Sequence, residues 1–200
     1  MSQGVKTVMG ASAALDCDAE LMLRVKEGDG ASFALLLGKH RSAVVHFLYR
    51  MVQNQAVSEE LAQEVFLRVY RSRESYEPTA KFTTWLFRIA THLALNSLRD
   101  GKNERNLEYL DDDSGEASNR EAPDRGPSVE QRLVKEARLQ EIRQAVGSLP
   151  EKQRAAVLMH KYEEMEYSQI AKVLRCSESA VKSLLFRAYE TLRARLAHMA

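Results

Sequence analysis

Five histidines (His40, His46, His92, His160 and His198) and two cysteines (Cys17 and Cys176) are the side chains best able to hold a metal or act as nucleophiles, and their spacing suits neither use. His40 and His46 are not at the i, i+4 separation that would put two ligands on one helical face. The cysteines lie in distant segments with no CxxC or Cys/His cluster, the pattern of ordinary thiols in a reducing compartment. Glu59–Glu60 and Glu163–Glu164 are sequence neighbours and so point apart on a helix. There is no glycine-rich phosphate loop, HExxH, GxSxG or ExxH pair. The sequence therefore predicts a non-enzyme with no metal and no cofactor.

Recognition chemistry is better represented. In "KFTTWLFRIATHLALNSLRD" (residues 81–100), Phe82, Leu86, Ile89 and Leu93 recur at helical spacing, with Trp85 and Ala90 at their margins. Lys81, Thr84, Arg88, Thr91, His92 and Arg99 fall on the other side, where cations and short hydroxyls can track phosphates. The preceding segment, Ser75 to Ala80, offers Tyr76 and small polar groups to an unstacked base. Stacking on an aromatic ring is worth about 1–3 kcal/mol per base.

A second polar surface lies near the C-terminus. "YSQIAKVL", "RCSES" and "AVKSLLFRAYETLRARL" read as a short helix, a tight turn and a longer helix. Ile170, Ala171 and Leu174 would cross Val181, Leu184, Leu185, Ala188 and Leu192. Ser179, Lys182, Ser183, Phe186 and Arg187 fall largely on the opposite side of the second helix, with Arg175 and Ser177 in the turn. A helix so furnished fits the DNA major groove. Ser177 is placed to cap it, leaving the amides of Ser179 and Ala180 free to meet a phosphate.

These surfaces need helices to carry them, and helical periodicity dominates. Strand signals are nearly absent. The first block is predicted to hold helices near Ala19–Glu27, Ser32–Val52, Ser58–Arg71 and Phe82–Arg99, enough for one compact bundle. In the second, "SLPE" at Ser148 to Glu151 reads as a capping box with Ser148 as N-cap. The fold class expected is all-α: two small helical domains, at 16–101 and 129–200, joined by a flexible acidic linker at 102–128 and preceded by a mobile tail at 1–15.

Net charge is only +1, but the average conceals two signs. Glu104, Glu108, Asp111, Asp112, Asp113, Glu116, Glu121 and Asp124 crowd the linker, so the remainder is distinctly basic. No apolar run approaches the roughly 20 residues that span a membrane, and the N-terminus lacks the pattern of a signal peptide. A cytoplasmic protein without membrane insertion is expected.

Taken together, "LPEKQRAAVLMHKYEEMEYSQIAKVLRCSESAVKSLLFRAYETLRARL" resembles region 4 of bacterial RNA polymerase sigma factors. "SEELAQEVFLRVYRS" resembles the region-2 helix that docks on the polymerase clamp, and residues 81–100 the adjoining segment that opens and reads the minus-ten element. Two such blocks in this order are similar to the extracytoplasmic-function group. The resemblance implies clamp contacts by Glu60, Gln63, Glu64 and Leu67. It implies minus-ten contacts by Tyr76, Lys81, Thr84, Arg88, Thr91, His92 and Arg99, with a flipped base captured by Ser75 to Ala80. Contacts to the minus-thirty-five element fall to Arg175, Ser177, Ser179, Lys182, Ser183, Phe186 and Arg187. Core RNA polymerase, promoter DNA and an anti-sigma factor are the implied partners. The sequence departs from the family at His92, where Asn is frequent, and at Pro78, where many members have Gly. The residues alone also admit a helix-turn-helix repressor or activator with a sensing or dimerising N-terminal bundle, and a pure interaction module.

Overall fold

The computed structural model describes residues 16–107 and 129–199; the N-terminal tail and most of the acidic linker lie outside the described residues. The first half comprises α1 (Cys17–Lys26), α2 (Gly30–Val52), α3 (Gln55–Arg71) and α4 (Phe82–Leu107), with a 3-10 turn at Arg73–Ser75. The second comprises α5 (Val129–Gly147), α6 (Glu151–Tyr162), α7 (Tyr167–Leu174), α8 (Glu178–Arg195) and a 3-10 turn at Ala197–Met199. The described residues contain no strand.

Local chemistry explains most boundaries. Asp29 caps α2 by accepting from the Ala31 and Ser32 amides at 2.9 and 3.2 Å, and Asn54 caps α3 by accepting from Val57 at 3.0 Å. Gln53, left-handed at φ 57°, closes α2. Two expected boundaries need correction. Helix α4 runs to Leu107 rather than ending near Arg99, because "GKNERNL" holds good helix formers that outweigh its one glycine. The capping box at Ser148 does not form: Pro150 is the N-cap of α6, and the Ser148 hydroxyl instead donates to the Ala145 carbonyl at 2.7 Å, at the end of α5. Gln169 performs the comparable service for α7, accepting from the Glu166 amide at 2.9 Å.

In the first half, α2 packs against α1, α3 and α4 around Phe47, Leu48, Val65, Phe66, Leu86 and Phe87. Phe47 and Phe87 meet edge to face with centroids 5.2 Å apart, a geometry worth about 0.5–1.5 kcal/mol beyond area burial. Asp18 is buried in α1, 2.9 Å from the His40 ring and 2.6 Å from Lys39 Nζ, fastening α1 to α2. In the second half, α6 and α7 pack on α8 through Ala155, Leu158, Ile170, Val181 and Leu185.

The halves are not held apart like beads on a string. Their buried residues form one continuous cluster, and α4 packs against α7 while the C-terminal end of α2 meets α5 and α6.

Candidate protein and nucleic-acid interfaces

Three surfaces emerge from this framework. The first is a groove of about 520 Å³ between α2 and α3, lined by Phe33, Leu37, Val45, Phe66, Leu67 and Tyr70 among others. Leu67 is 49% exposed, and it is contiguous with the other apolar side chains of the groove rather than a lone surface leucine. Gln63 also lines the groove, and Glu60 is exposed nearby on α3. Glu64 is half-buried and bonded to Arg68 Nε at 2.6 Å, which holds its carboxyl below the usual range. Sequence reasoning found the α3 side of this groove and missed the α2 side. Phe33, Leu37 and Val45 look like core positions of an amphipathic helix, and they are in fact only partly buried, with one side on the core and the other on the groove.

The second surface is α4. Arg88 is exposed and His92 half-buried, whereas Thr84 and Thr91 are buried. The expectation that all four share an open face is therefore corrected. Helix α7 lies along this side: Lys172 shares one cavity with Ser75, Glu77, Thr79, Thr84 and Arg88, and Arg175 shares another with Arg68, Arg71, Arg88 and His92. Among the described residues, the Thr84 and Thr91 hydroxyls have no hydrogen-bond partner. A buried unsatisfied group of this kind costs about 1–3 kcal/mol.

Tyr76 is likewise corrected from an open stacking platform to a packed residue. Only 2% of its surface is accessible, with its ring 5.0 Å from Trp85 and 6.4 Å from Phe82, both edge-on. Burial, then Asp16 and Asp18, pushes its phenol up to about 12. Hydrophobic packing of a large ring outweighs loop exposure here, and Lys26 Nζ holds the loop by donating to the Tyr76 carbonyl at 3.2 Å. Trp85 is half-buried and lines both cavities beside Arg88. Lys81 is exposed at the entry of α4, and Arg99 is exposed beside Asp100 at 3.5 Å, beyond the stretch that lines the cavities.

The third surface is α8. Ser179, Lys182, Ser183, Phe186 and Arg187 are all exposed on it, Phe186 to 68%. Val181, Leu185 and Ala188 are buried beneath. Ser177 caps the helix as expected, accepting from the Ala180 amide at 3.1 Å, so that amide is taken rather than free for a phosphate. Arg175 separates from this group. It is left-handed at φ 51° where α7 ends, and its side chain lines the α4 cavity instead.

His92 records the crowding between α4 and the C-terminal end of α7. Burial, then Arg175 and then Arg88, hold its imidazole below the ordinary histidine value of 6.5. Among the described residues no group of His, Cys, Asp and Glu is placed to hold a metal ion. No described helix is long and apolar enough to cross a membrane.

Known proteins share this organisation. The Sigma-70 region 2 family model matches residues 36–104, and the Sigma-70 region 4 model matches residues 139–192. The chain is 30% identical over 184 residues to the ECF RNA polymerase sigma factor SigW of Bacillus subtilis, covering 86% of this chain and 93% of that protein. It is 31% identical over 178 residues to the ECF RNA polymerase sigma-E factor of Escherichia coli K12, covering 88% and 92%. Among solved structures, CnrH in complex with the cytosolic domain of CnrY superposes with a TM-score of 0.66 at 19% identity, covering 92% of this chain and all of that one. The sigma factor RpoE of Bartonella quintana, solved with the anti-sigma factor NepR, also gives 0.66 at 21% identity, covering 82% and 96%. At those identities the structural likeness speaks for the fold.

Proposed function

The chain belongs to the extracytoplasmic-function group of RNA polymerase sigma factors, and from that premise we propose how its three surfaces divide the work of initiation. A sigma factor directs core RNA polymerase to promoters; it must grip the enzyme, read duplex DNA upstream and stabilise a separated strand downstream. The apolar groove between α2 and α3, lined on the α3 side by Glu59, Gln63 and Leu67, takes the polymerase clamp, with Glu60 and Glu64 beside it on α3. Exposed apolar area ringed by charge is the anatomy of a protein interface. The outer face of α8 enters the major groove at the minus-thirty-five element. Lys182 and Arg187 take phosphates or guanine edges there, Ser179 and Ser183 reach neighbouring polar groups, and Phe186 supplies apolar contact.

Helix α4 and the loop before it work on the minus-ten element. Arg88, His92 and Lys81 track the phosphates of a strand being separated, and Trp85 offers a ring edge beside them. Extruding a base costs a few kcal/mol, an amount that stacking and charge-assisted contacts can offset without a nucleotide fuel. The role is one of binding rather than covalent chemistry, carried out in the cytoplasm where the polymerase is. An anti-sigma factor is proposed as a further partner, since the solved sigma factor RpoE was captured with the anti-sigma factor NepR.

The observation that carries this reading is the contrast on α8: five polar or aromatic side chains stand exposed in a row above a fully buried Val181–Leu185–Ala188 face. The experiment is reconstituted transcription with core polymerase on a randomised promoter library. Leu67→Glu is expected to abolish co-purification with core enzyme. Lys182→Ala with Arg187→Ala is expected to retain core binding and lose upstream footprinting. Unchanged footprints in that double variant would remove α8 from promoter recognition.

A further inference from the structure

The loop between the 3-10 turn at Arg73–Ser75 and α4 is short, and side chains of α1 and α2 hold both of its ends. At the first end, Tyr76 is packed against Trp85 and Phe82, and its carbonyl accepts from Lys26 Nζ of α1 at 3.2 Å. Among the described residues, this is the one side-chain hydrogen bond that residues 76–80 accept. At the second end, Phe82 is fully buried, and the His40 ring of α2 stands 5.4 Å from it. His40 is itself fixed, with Nε2 2.9 Å from the buried carboxylate of Asp18, which Lys39 Nζ also reaches at 2.6 Å.

Between these ends the chain turns tightly. The Thr79 amide donates to the Glu77 carbonyl at 2.8 Å, closing a three-residue turn around Pro78. The proline ring holds φ at about −65°, close to what such a turn requires, and the loop contains no glycine. A turn built this way has few soft torsions, so its direction is set at its ends rather than at its tip. Beside it, Ser75, Glu77, Thr79, Thr84, Trp85 and Arg88 line much of a cavity of about 510 Å³. The Thr84 hydroxyl there is buried and has no partner among the described residues. A polar base edge that reached it would relieve that cost.

We propose that Lys26 and His40 are positioning residues for base capture: they aim the Glu77–Pro78–Thr79 turn at this cavity and thereby set which base of the separated strand is accepted. This role rests on the reading of the loop before α4 as the segment that takes the minus-ten base. It adds that selectivity depends on two side chains outside the loop, neither of which touches the DNA. Preorganisation is the physical reason. A turn already held in its binding position loses little freedom when a base enters, and only a base whose polar edge matches the fixed groups is held tightly. Released from Lys26, the same turn takes several directions, and bases of different shape become nearly equivalent.

The test uses the full chain assembled with core polymerase. The preferred strand is selected from a randomised library of fluorescein-labelled single-stranded DNA, and each of its positions is then replaced by the other three bases. Lys26 is exposed, so Lys26→Met should leave the melting temperature of the free chain unchanged. It should weaken binding of the preferred strand roughly fivefold, about the worth of one hydrogen bond, and leave the other strands nearly as before, so that the preference flattens. Lys26→Arg, which keeps a cationic donor of similar reach, should restore most of the preference. His40→Gln, which can still bond to Asp18 but removes the ring from Phe82, should flatten the preference as well. A preference left intact by Lys26→Met would overturn the positioning role, whatever His40→Gln does. Equal weakening for all four bases, with the salt slope reduced by about one, would also overturn it and make Lys26 a phosphate contact. A folded His40→Gln that keeps the full preference would remove His40 from the role. A parent holoenzyme with no base preference on the separated strand would instead overturn the reading of the loop itself.

Discussion

Helices α4 and α8 both pair an apolar side with a basic, hydroxyl-bearing side, yet they end in opposite situations. On α8 the polar side is open and the apolar side has a single floor of Val181, Leu185 and Ala188. On α4, burial reaches around most of the helix: Phe82, Leu86 and Leu93 on one side, Phe87, Ala90 and Ala94 on another, and Thr84 and Thr91 as well. A recognition helix at the edge of a small domain has neighbours on one side only. A helix at the junction of two domains has them on nearly all sides, and its polar residues are covered in consequence.

The sharpest way to break this comparison is to make the same truncation on both helices. Phe87→Ala should lower stability by about 3–5 kcal/mol, as removal of a fully buried phenylalanine does. Phe186→Ala, at a position 68% exposed, should stay within about 0.5 kcal/mol. Chemical denaturation of both variants measures the difference, and similar losses would mean that Phe186 is a core residue in solution.

Next in size is the effect on DNA. Arg187→Ala should weaken promoter binding by the holoenzyme by about 1–3 kcal/mol if it reads a base, and reduce the salt slope by about one if it meets phosphate. A salt titration of holoenzyme binding separates the two. Smaller again is the effect of the orphaned hydroxyls. Thr84→Val and Thr91→Val remove a polar group that the closed fold leaves unpaired. Each should be neutral or stabilising by up to about 1 kcal/mol in thermal melts of the free chain, whereas Ser183→Ala on open α8 should change nothing measurable. A clear destabilisation by either valine would show that those hydroxyls are satisfied in solution.

The smallest effect concerns pH. His92 is held below the ordinary histidine value by burial and by Arg175 and Arg88, with Arg68 and Arg71 on the same cavity. A base whose protonation is disfavoured in the folded arrangement contributes fully when neutral, above the ordinary value near 6.5, and loses that contribution as pH falls through it. The parent chain should therefore melt at progressively lower temperature as pH drops through that range, by a small amount because the ring is partly solvated. In His92→Gln that part of the slope should vanish. Persistence of the full slope would assign it to another group.

The amino-acid sequence by itself determined the helices, the division into two blocks and the character of each polar face. Those depend on local matters: period 3.6 hydrophobicity, caps at Asp29, Asn54 and Ser177, and breaks at Gly28 and Pro78. It misjudged the start of α6, where Pro150 capped the helix in place of Ser148, and the length of α4, where propensity carried the helix into an acidic stretch. What only the tertiary structure decided was which polar residues are accessible. Periodicity assigns a residue to a side of its helix, but it contains no information about what a segment eighty residues away lays against that side. Thr84 and Thr91 are buried, Tyr76 packs between Trp85 and Phe82, Arg175 turns from α8 toward α4, and the α2 wall of the groove between α2 and α3 is only partly covered. Each of these follows from long-range packing, in which the burial of apolar surface across the two halves outweighs the local preference of a threonine or a tyrosine for water.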